Sequence, residues 1–566
     1  MGLNSALAIA GRSLEVFTTG IEVAGNNISN ANTPGYIRER LYLNPSQGTK
    51  QGALVVGGGV LVDGIRQEID KYLETRIHTS SSDFYGSQQR EDIYKQLEAT
   101  VNELSDGDLS TGLNDFLGKI QDFANQPEVS AVAQLAVQQG VEFAREISEM
   151  RARINDQRSS LGVKVTDLVN EANVLIDRIG ELNKKITETE AGGLLHSDAG
   201  GLRTERYNAM NRLAEIVPIR AVERETGYFD IFVGPDHLVL QGEVQHLETE
   251  VSVDREAQVL NVKVEGSISN LPGTSGELNG VIDGRDQILG GFIDELDTYT
   301  QNIIFEFNKI HASGQGTEGF DTVTGTYSVE DTAASLDDAG LAFAPEHGSF
   351  EVIIENKLTG ARETTTIQID LDGINPGPNT SLDSLRADLD AISNVTATLT
   401  PDRRLELSAG ENYEIYFAND DSGTLAALGI NTFFTGSGSS DIGVNQTVLN
   451  DTSKFAVTQG GGSGDGSNAL KLAKFIENPV EGLGGVNLND YYDGMISELA
   501  QNSASETAVR QGFESFRNSL LTQKQQFSGV SLDEEAIKVM ELQRSYQMAA
   551  RFIGVIDELL STLVSL

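Results

Sequence analysis

The chain of 566 residues contains no cysteine and no tryptophan. Without thiols there can be no disulfide, no thiolate metal ligand and no thiol nucleophile. The absence does not assign a compartment, because cytosolic and secreted chains can both lack Cys. Positive charge is scarce too: 41 Lys and Arg stand against 84 Asp and Glu, a net charge of -43. A surface of that sign repels phosphate backbones and anionic lipid, so neither nucleic acid nor membrane insertion is expected. Long apolar runs are missing, none approaching the roughly 20 residues of a membrane-spanning helix. Ala8-Ile9-Ala10 imitates a signal-peptidase site, but no basic segment or sustained apolar stretch precedes it. No cleaved secretion signal is therefore expected.

Catalytic constellations are equally thin. His78, His196, His237, His246, His311 and His347 are scattered, with no pair at the i, i+4 spacing of a zinc helix and no Gly-x-Ser-x-Gly elbow anywhere. The run Gly460-Gly461-Gly462-Ser463-Gly464-Asp465-Gly466-Ser467 lacks the Lys-Ser/Thr pair of a phosphate loop and reads as a flexible linker. Asp370-Leu371-Asp372-Gly373 fails the spacing of a calcium loop. With 84 carboxylates, close acid pairs arise by chance and do not argue for a glycosidase. No catalytic residue, cofactor or metal is expected.

What the chain does have is an apolar seam at each end. Leu3, Leu7, Ala10, Leu14, Phe17, Ile21, Ala24 and Ile28 alternate three and four apart, as do Tyr546, Ala549, Ile553, Ile556, Leu560 and Leu563. A helix with such a seam needs a partner helix. The partner is either the other terminus or a copy of either in a neighbouring subunit. Taken as an assembly interface, the seams comprise Leu3, Leu7, Leu14, Phe17, Ile21, Ile28, Tyr546, Ile553, Ile556, Leu560 and Leu563. On that basis the termini of an isolated subunit are expected to be largely disordered, since ordering costs about 1 to 2 kcal/mol per residue. Pairing of the two helices within one chain is the alternative.

Between the ends the pattern is a multidomain α+β chain that runs out and returns. Residues 1–36 and 528–566 are the terminal helices. Residues 37–215, 272–313 and 465–527 form a rod built as a bundle of long helices, with a small β element between Tyr36 and Ile69. Its clearest stretch is the heptad seam Ile147, Met150, Ile154, Leu161, Val165, Leu168, Ala172, Leu175, Ile179, Leu182, Ile186. Residues 216–271 are a β-rich insertion with strands at Ile219 to Val222, Phe229 to Val233 and Val259 to Val264. Residues 314–464 are an outer antiparallel β domain, alternating at Phe350 to Ile354 and Thr365 to Ile369.

Two motifs carry a family resemblance. Asn26-Asn27-Ile28-Ser29-Asn30-Ala31-Asn32-Thr33-Pro34-Gly35-Tyr36 resembles the N-terminal signature of the axial proteins of the bacterial flagellum: rod, hook and hook-associated. Glu541-Leu542-Gln543-Arg544-Ser545-Tyr546-Gln547 resembles the matching C-terminal signature. The interior resembles one branch, the hook-associated protein 1 (FlgK) family, at Gly201-Leu202-Arg203-Thr204-Glu205-Arg206-Tyr207, Gly276 to Asp286, Phe307 to Gly314 and Leu428 to Gly436. The resemblance implies a structural protein of the junction between hook and filament, assembled as a ring and exported uncleaved by the flagellar type III apparatus. The partners it implies are the hook protein, a second hook-associated (junction) protein, copies of itself, and a FlgN-like export chaperone on the C-terminal helix. Two alternatives remain open. One is a hook or distal rod protein, and the other a secreted adhesin or surface enzyme.

Overall fold

The computed structural model describes residues 2–51, 54–102, 109–191, 197–273, 275–373, 379–462 and 464–565. His196 and Ser463 lie outside them. The helices in chain order are α1 (Gly2–Asn30), α2 (Lys71–Asn102), α3 (Leu109–Asn125), α4 (Ser130–Ala191), α5 (Gly200–Ile216), α6 (Glu277–Asp283), α7 (Gly290–Ala312), α8 (Leu382–Asp390), α9 (Thr424–Leu428), α10 (Gln446–Asn450), α11 (Ser467–Ala473), α12 (Leu488–Ser528) and α13 (Leu532–Ser565). A π-helical stretch, Gly284–Leu289, joins α6 to α7. The helix of 62 residues, α4, follows the predicted seam: Ile147, Met150, Ile154, Val165, Leu168, Ala172, Ile179, Leu182 and Ile186 are all buried. No helix among the described residues is long and apolar enough to cross a membrane.

The chain divides into two units, and the division passes through α2, α4, the π-helical stretch and α12. The first unit holds residues 1–93, 159–285 and 504–566. Its strands are β1 (Glu39–Pro45), β2 (Thr49–Gln51), β3 (Leu54–Val56), β4 (Val60–Gln67), β5 (Ile219–Glu223), β6 (Phe229–Val233), β7 (Asp236–Leu240), β8 (Glu243–Val244), β9 (Leu247–Asp254) and β10 (Ala257–Val264). All pairings are antiparallel: β1 with β4, β2 with β3, a four-stranded sheet β5-β6-β7-β8, and the ribbon β9-β10. Inward residues of these strands, among them Phe229, Ile231, Val233, Val239 and Val262, share one core with Val165, Ile176 and Ile179 of α4 and Tyr207, Met210 and Leu213 of α5. Burial of this kind supplies most of the folding free energy, at roughly 25 cal/mol per Å² of apolar surface.

The second unit holds residues 94–158 and 286–503. Its strands are β11 (Thr322–Thr324), β12 (Gly348–Asn356), β13 (Arg362–Ile369), β14 (Val395–Leu399), β15 (Leu405–Ala409), β16 (Tyr413–Ala418), β17 (Phe434–Thr435) and β18 (Gly443–Val444). They form antiparallel sheets β13-β12-β16, β11-β15-β14 and β17-β18. Alternate residues Phe350, Val352 and Ile354 of β12 and Ile367 and Ile369 of β13 face a common core with Leu382, Leu385 and Leu389 of α8. That helix, capped by a reciprocal Ser381–Ser384 box, stands where the sequence reading placed strands and loops alone.

Phe433, Phe434 and Phe455, grouped by sequence with the outer β domain of 314–464, pack instead among helices. The Phe433 and Phe434 ring centroids lie 5.4 and 5.7 Å from that of Phe116 of α3 and 5.4 and 5.1 Å from that of Phe307 of α7, the Phe116–Phe433 pair stacked and the others tilted or edge-on. The Asn308 carboxamide fixes this segment, accepting from the Phe433 and Phe434 N–H groups at 3.0 and 2.9 Å and donating to the Phe434 carbonyl at 2.9 Å. His311, one turn on, is wholly buried: its Nδ1 bonds the Asn431 carbonyl at 2.8 Å, and its Nε2 accepts from the Ala456 N–H at 3.0 Å.

Candidate assembly face at the paired termini

Residue by residue, the N-terminal signature builds a turn and a clamp. Thr33 N–H donates to the Asn30 carbonyl at 2.9 Å and Tyr36 N–H to that of Thr33 at 3.1 Å, closing α1 into successive turns. Gly35 adopts φ 72°, the left-handed region, and a Cβ there would collide with the Asn208 carboxamide of α5. Asn27, fully buried, works like one more residue of a sheet: its Oδ1 accepts from Glu39 N–H at 3.0 Å and its Nδ2 donates to the Glu39 carbonyl at 2.9 Å. The Tyr36 hydroxyl donates to the same Oδ1 at 3.0 Å. Burial, then Glu39, then Glu535, push that phenol up, so it stays a donor. Asn26 bonds Glu39 Oε2 at 3.1 Å, while Asn32, Thr33 and Pro34 are exposed.

The same turn delivers Arg38 to the other end of the chain. Its backbone N–H donates to the Ser528 carbonyl at 3.0 Å, and its guanidinium pairs with Glu535 at 2.7 Å and Glu534 at 3.2 Å. Glu535 has 0 % of its side chain exposed. Nearly five hundred residues of sequence separate these partners. No local pattern announces the pair.

Beyond the clamp, α1 packs along α13 and against β1 and β4. On α1 the most buried positions are Ala10, Val16, Gly20, Val23, Ala24 and Asn27. Gly20 lets the helices approach: a Cβ there would lie 3.0 Å from Leu542 of α13 and 3.6 Å from Leu41 of β1. Leu3, Leu14, Phe17, Ile21 and Ile28 are half-buried and Leu7 is exposed. The N-terminal helix thus divides its apolar surface between a helix and a hairpin. The expected disorder of the termini gives way in the structure to pairing within one chain, because each seam supplies the other's partner.

On α13 the covered line is Glu535, Val539, Leu542, Ser545, Ala549, Ile553, Ile556 and Leu560, spaced three and four apart. Ile556 is buried, and Ile553 and Leu560 are half-buried. A second apolar line, Met548, Phe552, Val555, Leu559 and Leu563, lies roughly a quarter turn around the helix. It keeps 49 to 64 % of its surface exposed. Tyr546, Gln543 and Arg544 are exposed as well.

The chain resembles known proteins in its middle, at its C-terminus and over its whole length. Residues 94–325 match the family described as "Flagellar hook-associated protein FlgK helical domain", and residues 523–566 match "Flagellar basal body rod FlgEFG protein C-terminal". Curated relatives extend the likeness to the whole chain. "Flagellar hook-associated protein 1" of Escherichia coli K12 is 24 % identical over all of both chains, and that of Bacillus subtilis is 22 % identical over 100 % of this chain and 98 % of its own. Along its whole length the chain is thus similar to hook-associated protein 1 of other bacteria. A solved structure, "the flagellar hook junction protein FlgK from Burkholderia pseudomallei", is matched over 81 % of this chain and all of its own at a TM-score of 0.50 and 16 % identity, a likeness of fold. The C-terminal match starts at residue 523, before the clamp at Ser528 and Glu535, and takes in all of α13. The segment similar to the rod-protein C-terminal family therefore includes the helix that carries the uncovered line.

Proposed function

We propose that this chain is a structural component of the bacterial flagellum that forms the junction between hook and filament, assembled as a ring through its terminal helices. The observation that carries the reading is the uncovered line on α13. Five large apolar residues at helical spacing on a helix already paired along another line is the signature of a surface awaiting a second helix. Copies of the chain supply that helix, and the same line fits the hook protein below and a second junction protein above. The reading makes the protein non-enzymatic and places it outside the cell, exported uncleaved. Before export the line needs cover, and a FlgN-like chaperone laying a groove over α13 would supply it.

The test is complementation. A motile host deleted for its own hook-associated protein 1 regains filament attachment with the wild-type chain, and loses it again with Phe552→Asp plus Leu559→Asp, although that variant folds. Filaments carried normally by the double variant would overturn the role of this face. A wild-type chain that restores nothing, yet mediates surface adhesion, would favour the adhesin reading.

A further inference from the structure

Far from the termini, the three-stranded sheet of the second unit brings together residues that the sequence keeps apart. In the β12–β13 hairpin Gly348 pairs with Ile369. One step beyond that pair, at the open end of the hairpin, His347 stands opposite Asp370, and Asp372 follows two residues later on the same side. The His347 Nδ1 lies 3.5 Å from Asp370 Oδ1 and 3.6 Å from Asp372 Oδ2, and the three donor atoms all fall within 4.8 Å of one another.

Two details make this more than a group of surface acids. The Leu371 N–H points at His347 Nδ1, 3.3 Å away, so that nitrogen acts as an acceptor and its ring proton sits on Nε2. A nitrogen that accepts cannot also donate to either carboxylate. Asp370 Oδ1, shielded from solvent, has no hydrogen-bond partner. The Asp370 oxygen thus faces an accepting nitrogen with no donor of its own, and a shielded carboxylate oxygen left without one is destabilising. A cation would relieve this. The spacing also suits one: a tetrahedral zinc about 2.0 to 2.1 Å from each donor holds its ligands roughly 3.3 to 3.4 Å apart.

We propose that His347, Asp370 and Asp372 form a binding site for a divalent transition-metal ion of the zinc class, the ion taking the Nδ1 lone pair in place of the long Leu371 N–H contact and water completing the coordination. One imidazole and two carboxylates are ligands that zinc accepts, and the mixed set disfavours calcium and magnesium, which take oxygen alone. The ion would pin the open end of the β12–β13 hairpin to the turn that follows it. Sequence spacing hid the site because 22 residues lie between the imidazole and the first carboxylate, and only strand register closes that gap.

The experiment is titration of the full-length protein with zinc chloride in a non-chelating buffer at pH 7.5, followed by calorimetry. One saturable site per chain is expected. His347→Ala and the near-isosteric Asp370→Asn should each weaken binding at least about tenfold. His246→Ala, which removes an imidazole paired with Asp177 at 2.9 Å in the other unit, should leave it unchanged. Circular dichroism verifies folding of each variant, with Asp372→Asn replacing any that fails. No saturable uptake would mean that a proton alone fills the gap and would overturn the proposal. So would uptake that survives all the ligand substitutions.

Discussion

Two places in this molecule join stretches of chain that are far apart in sequence, and they do it to different degrees. Around Phe433 the contacts are finished. Phe116, Phe307, Phe433 and Phe434 each have less than 2 % of their surface exposed, and the backbone they ride on is bonded to Asn308. At the termini the contacts are half made. α1 and α13 cover one line of each other, and a further apolar line on α13 remains in water. A closed cluster of rings stabilises its own unit, whereas a half-covered helix keeps binding free energy in reserve for another molecule.

The difference should be plainest in the response to truncation. Phe433→Ala removes a ring that packs against Phe116, Phe307, Phe434 and Phe455, and a loss of about 3 to 5 kcal/mol is expected. Calorimetry should show the transition of the second unit falling by many degrees. A loss under about 1 kcal/mol would put the Phe433 cluster in the same class as the termini.

Acid should sharpen the contrast. Burial pushes the His311 imidazole down to about 4 from its ordinary 6.5, with rings at Phe307, Phe433 and Phe455 around it. Below pH 6.5 the unfolded chain takes up a proton that the folded one refuses. Stability is therefore complete above pH 6.5 and falls as pH drops toward 4, by up to about 3 kcal/mol. Denaturant titrations at pH 7.5 and 4.5 check this, and His311→Gln, which cannot titrate, should flatten the slope.

At the clamp the effect is smaller and local. Arg38→Ala leaves Glu535 buried without its partner. With Arg38 itself one-fifth exposed, about 1 to 2 kcal/mol is expected after discounting for solvent. Hydrogen exchange should quicken along α13 and stay unchanged in the second unit. Smallest of all, Leu14→Asp together with Ile21→Asp should shift the transition of the second unit by less than about 0.5 kcal/mol. A cooperative loss of that unit would show the termini to be part of a single core.

Much of the fold was legible because periodicity reports burial. The seam Ile147 to Ile186 announced α4, and strict alternation announced β12 and β13. The helix α8 escaped although Leu382, Leu385 and Leu389 keep helical spacing, because nine residues in Gly- and Asp-rich surroundings resemble a loop. The place of Phe433 was not legible either. Its neighbours come from α3 and α7, and ring-to-ring contact leaves no spacing in the chain. On α13 the apolar residues occupy two adjoining lines, so the period predicts a seam without saying which line a partner already covers. Asn27 and Arg38 matter through bonds to Glu39, Ser528 and Glu535, and only the turn at Gly35 sets those up.

The Arg38–Glu535 contact also has a consequence in time. A chain made from its N-terminus exposes Arg38 long before the helix it holds, since Glu535 follows 497 residues later. Throughout synthesis the beginning of the protein must wait for its end. Closing so large a loop is slow relative to forming local helices, so the two units can be complete in all other respects while the termini are still apart. Pairing of the two ends is thus expected after the local helices have formed, and anything that binds either end first would delay it.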